Sequence, residues 1–248
     1  MKVHISNNSK DLGVSAGLKA VELIKKTIQQ KGFANIILAT GTSQFETIQQ
    51  LISDAEISWE RVQMFHLDEY IGLPITHKAS FRNYLVERFI KLVPNLKIAH
   101  LINGELDPET ECKRLGDLIL QNPIDVALVG IGENGHLAFN DPPADFDTEK
   151  PYIVVDLDEA CRAQQMGEGW FETMDDVPKQ AISMSIQQIL KSEYIVCSVP
   201  DERKSQAVAD CLTKGVSNLF PASILQNHPQ VDLYLDSSSA SRLPVNFQ

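Results

Sequence analysis

Short apolar runs rich in β-branched residues alternate along the chain with longer stretches whose apolar positions recur at helical spacing. The run from Lys2 to Ile5 predicts an edge strand. From Leu12 to Gln30 the apolar residues keep a helical period while Lys25, Lys26 and Gln29 fall on the opposite face, and Gly32 stops the helix. Asn35 to Thr40 (NIILAT) is almost continuously apolar, as a parallel strand buried on both faces is. Arg61 to Leu67, Ile98 to Ile102, Ile124 to Val129, Tyr152 to Val155, Tyr194 to Ser198 and Val231 to Leu235 repeat the strand pattern. Helical spacing returns in Gln44 to Ile52, Ser80 to Leu92, Pro108 to Gln121, Ile182 to Lys191 and Arg203 to Leu212. The alternation predicts an α/β fold: a three-layer, doubly wound (Rossmann-like), mostly parallel sheet with helices on both faces. No repeat, low-complexity tract or Pro/Gly/Ser linker divides the chain, so residues 1–248 are expected to form one domain. In open sheets of this kind ligands bind beyond the carboxyl ends of the strands, near a reversal of strand order. Polar residues at strand ends are therefore where chemistry is to be sought.

Composition narrows the classes of partner. A hydrophobic fraction of 43% supplies a sizeable core. With 22 basic residues against 33 acidic ones, the net charge of −11 argues against nucleic acid or an anionic membrane as partner. A phosphorylated small molecule stays compatible, because a few local donors decide that affinity. The amino-terminal MKVHISNNSKDLG has no apolar segment behind its lysine and does not read as a secretory signal, and no apolar run approaches a membrane span. Cys112, Cys161, Cys197 and Cys211 are scattered without CxxC pairs or metal-ligand spacing. They are expected to be reduced, mostly buried thiols in a cytoplasmic protein, and neither a metal nor a cofactor is expected.

Four strand ends carry candidate chemistry. After NIILAT come Gly41, Thr42 and Ser43, then a helical pattern. A helix start there offers backbone N–H groups and a positive dipole end to an anion such as phosphate; equally, the segment serves as a tight turn with a serine cap. It is neither a Walker A loop nor GxGxxG, so nucleotide binding is not indicated. The strand ending Phe65-His66-Leu67 runs into Asp68 and Glu69, adjacent carboxylates with poor solvation and at least one perturbed pKa expected. Such a placement suits a base that takes a proton from carbon, whereas the plainer alternative is a cap for the following turn. The third, GIGENGHLAFNDPP at 130–143, sets His136 in a glycine-rich loop with Asn134 two residues before and Asp141 five beyond. A carboxylate or amide on one ring nitrogen fixes the tautomer and leaves the other for a substrate, and the glycines, Gly135 among them, admit close approach and positive φ. Lys204, in PDERK after the strand YIVCS, either reaches a phosphate held at the first loop or is a solvated first-turn charge.

Together these segments resemble the glucosamine-6-phosphate deaminase/isomerase family. ATGTSQ at 39–44, FHLDEYIGL at 65–73 and GIGENGHLAFNDPP at 130–143 carry the resemblance. VPKQAISMSIQQIL at 177–190, PDERKSQAV from Pro200 and FPASILQNHP at 220–229 extend it, in the family's order, over most of the chain. The same fold houses 6-phosphogluconolactonases and sugar-phosphate-sensing domains of transcription regulators. The resemblance implies an isomerising deaminase that turns an amino-sugar phosphate into a ketose phosphate and ammonia. Asp68 matches the base that moves a proton between C2 and C1, His136 the residue assisting ring opening, Asp141 its carboxylate partner and Asn134 the polar residue before Gly-His. Gly41, Thr42, Ser43 and Lys204 fall where the family holds phosphate, and Glu69 and Gly135 join the expected substrate-binding set. Family members differ in assembly, so a homo-oligomer is compatible.

Three departures bear on specificity. The family usually has Glu at Asp141, and GGT where this chain has GTS. Many members place an Arg before a Phe/Tyr-Phe pair to contact the sugar, whereas Gln164-Gln165-Met166-Gly167-Glu168-Gly169-Trp170-Phe171 has none and Arg162 is out of register. These changes suggest an altered amino sugar, such as galactosamine 6-phosphate. Lactone hydrolysis is the enzyme alternative. A sugar-phosphate sensor ranks below it, because sensors come joined to a helix-turn-helix for which there is no room before the first strand.

Overall fold

The computed structural model describes residues 1–167 and 169–247, so Glu168 of the glutamine-rich stretch lies outside the described residues. The chain opens with β1 (Lys2–Ser6), α1 (Ser9–Lys31), β2 (Ala34–Leu38), α2 (Phe45–Ser53), β3 (Val62–His66), β4 (Asp68–Tyr70), α3 (Phe81–Arg88) and β5 (Ile98–His100). It continues through α4 (Pro108–Gln121), β6 (Val126–Val129), β7 (Tyr152–Asp156), α5 (Glu159–Gly167), β8 (Gln180–Met184) and α6 (Ile186–Leu190). The last elements are β9 (Tyr194–Val199), α7 (Ser205–Thr213) and β10 (Val231–Asp236).

Seven strands form one sheet in the order β1-β10-β9-β6-β2-β3-β5, every pair parallel, with β1 at an edge as its pattern predicts. Fully buried β2 lies centrally because both its faces are apolar. Ile36 and Leu38 face a core with Leu12, Ile24, Leu51 and Leu85 of the first three helices. Ile37 points the opposite way, into a core shared with Leu115 of α4 and Val208 of α7. Side-chain alternation along a strand thus produces the three layers. Burying each such isoleucine contributes about 1.5–3 kcal/mol. Asn8 caps α1 by accepting from the Asp11 N–H, and Gly32 closes it.

Strand order reverses between β2 and β6. From β2 the chain builds outward through β3 to β5, then crosses back to β6 and builds the other way through β9 and β10. The loops leaving β2 and β6 therefore diverge and open a crevice.

Three sequence expectations change. Tyr152 to Val155 is a strand, but in a separate antiparallel sheet of order β4-β8-β7. Ile182 to Lys191 is not one helix: Gln180–Met184 is that sheet's central strand, and only Ile186–Leu190 is helical, capped by Ser185. Pairing on both edges of β8 overrides a short stretch whose spacing also fits a helix. The Ser80 to Leu92 helix also breaks at Phe89. All four cysteines are free and buried. Among the described residues no helix is long and apolar enough to cross a membrane.

Candidate active site

A cavity of about 440 Å³ opens at the carboxyl ends of the large sheet. Thr40 to Ser43 line it from the β2 loop, Gly130 to Gly132 and His136 from the β6 loop, Pro200, Asp201, Arg203 and Lys204 from the β9 loop, and Asp236 from the end of β10. Asp68 enters from β4, Phe81 from the start of α3, and Gln164 and Gln165 from α5.

Gly41 has φ 98°, a region that favours glycine, and so turns the β2 loop into a single 3₁₀ turn ahead of α2. No side chain caps that turn or α2, so the serine-cap alternative is not realised. Gly41, Thr42 and Ser43 all face the cavity. Tyr84 fixes the loop by donating its hydroxyl to the Gly41 carbonyl at 3.0 Å.

Asp68 and Glu69 part company because β4 is a strand and successive side chains point to opposite faces. Asp68 faces the cavity, and burial together with the Glu69 charge pushes its carboxyl up to about 8. Glu69, expected among the substrate contacts, does not reach the cavity lining: it is 0% exposed and bonded inside the protein. Burial raises its pKa too, opposed by hydrogen bonds from the Arg82, Phe81 and Tyr70 N–H groups and the Ser80 hydroxyl. The Arg82 guanidinium adds a contact at 3.3 Å and itself reaches Asn103, Leu73 and Glu105. Glu69 thus anchors the start of α3 across the fold, beside the Ser80 cap, and not the turn that directly follows β4. Next to it, burial and the Arg82 charge hold the His66 imidazole down at about 3, so it is neutral and accepts from the Ile102 N–H at 2.8 Å.

In the β6 loop His136 Nδ1 lies 2.9 Å from Asp141 Oδ1, which also accepts from the Asn134 amide at 2.9 Å. Asn134 Oδ1 accepts in turn from the His136 backbone N–H at 3.1 Å. Burial works to raise the Asp141 pKa, but hydrogen bonds from His136, Asn134 and the Cys161 thiol outweigh it and keep the carboxyl low. The ionised carboxylate holds Nδ1–H, which leaves Nε2 as the nitrogen available toward the cavity. That nitrogen packs on Gly132, where an added Cβ would stand only 2.2 Å from it. Asp141 and Asn134 do not line the cavity; their hydrogen bonds orient the His136 ring and backbone. Gly135, expected as a substrate contact, is a second correction: its N–H donates to the Gly132 carbonyl and its carbonyl accepts from the Ala222 N–H, so it shapes the turn behind the cavity wall.

Lys204 is only 7% exposed, which removes the solvated-charge alternative. Its Nζ lies 3.6 Å from the Glu133 carboxylate. Sequence reasoning passed over Arg203 and Asp236, and it noted Gln164 and Gln165 only as part of the stretch that lacks the sugar-contacting Arg. The two glutamines sit on α5, which no periodicity had marked; Gln165 accepts from the Tyr70 hydroxyl at 2.8 Å. Asp201 has φ 89° and ψ 135°, a conformation that costs a non-glycine residue about 1–3 kcal/mol. No sequence signal announces it.

A strand-end cavity that presents a proton-accepting carboxylate, a histidine oriented by a carboxylate and a buried lysine defines an α/β enzyme site. The chain belongs to the family of glucosamine-6-phosphate isomerases/6-phosphogluconolactonase, whose sequence model matches residues 7–234. It is 38% identical over 230 residues to the glucosamine-6-phosphate deaminase of Shouchella clausii, covering 90% of this chain and 91% of that protein. Its fold matches a monomeric glucosamine-6-phosphate deaminase with a TM-score of 0.87 at 33% identity, over 97% of this chain and 99% of the other. A 6-phosphogluconolactonase from Trypanosoma brucei shares the fold at a TM-score of 0.80 and 17% identity, over 98% of each chain.

Proposed function

We propose that the protein is an isomerising deaminase of a phosphorylated amino sugar, taking glucosamine 6-phosphate or its galactosamine epimer to a ketose 6-phosphate and ammonia. The observation that carries the reading is Asp68: a carboxylate raised to about 8 inside the same cavity as the His136–Asp141 pair. The deaminase relatives and their shared fold support it.

In this reading the phosphate sits against the Gly41–Ser43 loop and Lys204, remote from the reacting carbons, and fixes their place relative to the acid and base. His136 passes a proton to the ring oxygen as the anomeric hydroxyl loses one, and the pyranose opens to the aldehyde. Asp68 then removes the C2 proton, whose electron pair forms the C1–C2 double bond of a cis-enolamine as the aldehyde oxygen is protonated. Protonation at C1 gives a C2 iminium; water adds there and ammonia leaves. A base poised near neutrality suits carbon deprotonation better than an ordinary aspartate, because it holds its proton more strongly yet remains partly ionised. Gln164 and Gln165 present neutral amides to the cavity, which supports a changed sugar contact and keeps galactosamine 6-phosphate in play.

The test is ammonia release from glucosamine 6-phosphate and galactosamine 6-phosphate in parallel, with Asp68→Asn beside the wild type. Release from either sugar, lost in the variant, supports the proposal and names the epimer. Folded wild-type protein that releases ammonia from neither, yet hydrolyses 6-phosphogluconolactone with Asp68→Asn equally active, would replace it with the lactonase reading.

A further inference from the structure

Among the described residues that line the cavity, only Lys204 and Arg203 carry permanent positive charge; Asp201 and Asp236 bring carboxylates, while Asp68 holds its proton up to about pH 8. A dianionic phosphate in that setting depends on where the two cations are held. Arg203 is half-exposed, and an exposed arginine is normally a mobile one. Here it is held. Asp201 Oδ2 accepts from Arg203 Nε at 3.0 Å and from one terminal nitrogen at 2.8 Å, a two-point grip on one edge of the guanidinium. Asp201 Oδ1 accepts from the Arg203 backbone N–H at 2.9 Å. The other terminal nitrogen, Nη1, is turned toward the Glu133 carboxylate, 3.5 Å away. The same Glu133 oxygen stands 3.6 Å from Lys204 Nζ. Neither separation is a hydrogen bond, yet one carboxylate oxygen lies between the two cations of the cavity.

We propose that Arg203 is a second anion-binding side chain of this site, oriented by Asp201, and that Glu133 is an internal carboxylate which the substrate's phosphate replaces on the Arg203–Lys204 pair. The inference rests on the phosphorylated-substrate reading and adds a specificity residue and a competitor to it. Two features of the grip favour binding over simple surface pairing. Asp201 adopts left-handed backbone geometry that glycine would take without strain, and its side chain is committed to Arg203. The cation it holds sits beside a buried lysine rather than out on an open face. Glu133 pays no comparable debt to the fold: its carboxylate is partly exposed and meets the two cations only at ionic-contact distance.

Two readouts test the inference on the intact protein: KM and kcat for glucosamine 6-phosphate from ammonia release, and the dissociation constant of inorganic phosphate from its stabilisation of the fold. Arg203→Gln is expected to raise both KM and the phosphate constant about tenfold while kcat stays within about twofold. Glu133→Gln should move both constants the other way, because the competitor has lost its charge. Asp201→Gly should raise them by a smaller factor without lowering Tm, since glycine accepts the local backbone and only the grip is lost. Arg203→Gln leaving both constants unchanged, or Glu133→Gln weakening phosphate as Arg203→Gln does, would overturn the inference. Phosphate binding that follows the expected ranking in a wild type that releases ammonia from neither glucosamine 6-phosphate nor galactosamine 6-phosphate would sink the deaminase reading and leave the role of Arg203 standing.

Discussion

The large sheet and the small one meet the cavity in different ways. Strands β2, β6, β9 and β10 of the large sheet end there, and what they present is mostly loop: backbone N–H groups, a histidine, two cations. The small sheet instead presents Asp68 from the first position of β4, paired with Ser183 of β8, with the Tyr152 hydroxyl bonded to the His66 carbonyl shortly before it. Loops from four strand ends bring backbone N–H groups and cations together around one opening, an arrangement that suits a charged ligand. A side chain on a paired strand is stripped of water, which moves the Asp68 carboxyl up to about 8. Under the proposed function the C2 base comes from the small sheet, while loops of the large sheet hold the phosphate and supply His136 for ring opening.

Asp68→Asn breaks the comparison most directly. Removing the base while keeping the side chain's shape should lower kcat by about 10³-fold or more, with KM changed little and the fold intact by circular dichroism. Asp141→Asn tests the loop side. It removes the carboxylate that holds His136 and should lower kcat by about 10²-fold, with steady-state rates as the readout. An activity equal to wild type in either variant would count against the assignment.

Glu69→Gln sharpens the comparison from the other side of β4. The change leaves the Arg82 guanidinium without its buried counter-charge and should cost about 3–5 kcal/mol, seen as a Tm lower by about 10 °C. The surviving folded fraction should still bind phosphate. A variant as stable as wild type that has lost phosphate binding would return Glu69 to the substrate.

Asp68 also makes the stability of the fold depend on pH. The Asp68 carboxyl rises from an ordinary 3.8 to about 8 on folding, so the folded protein keeps a proton that the unfolded chain gives up. That contribution is full below pH 4 and is lost as pH rises through 8. Asp68→Asn removes the dependence, so its Tm advantage over wild type should be absent near pH 4 and grow toward pH 8.5 in thermal scans. A gap that does not change with pH would mean that Asp68 titrates normally.

The large sheet was legible because its strands are continuous apolar runs between amphipathic helices: Asn35 to Thr40 cannot satisfy a solvent-facing pattern. The Gly-His-Asp loop was legible because short-range spacing dictates it. The small sheet was not. Asp68 to Tyr70 is three residues long, and Gln180 to Met184 fits a helix as well as a strand until its partners on both sides are known. For the same reason Glu69 was misplaced, since only a strand assignment at β4 separates its direction from that of Asp68. Gln164 and Gln165 reach the cavity through α5, a helix that apolar spacing does not announce.

The central claim is that Asp68 removes the C2 proton. Proton NMR in deuterium oxide follows the C2 signal of glucosamine 6-phosphate, and of galactosamine 6-phosphate beside it, with wild-type protein and with Asp68→Asn. The account predicts that the C2 proton of at least one sugar is lost in step with ammonia release by the wild type, and persists with the variant. Loss of that proton at a comparable rate with Asp68→Asn would contradict it.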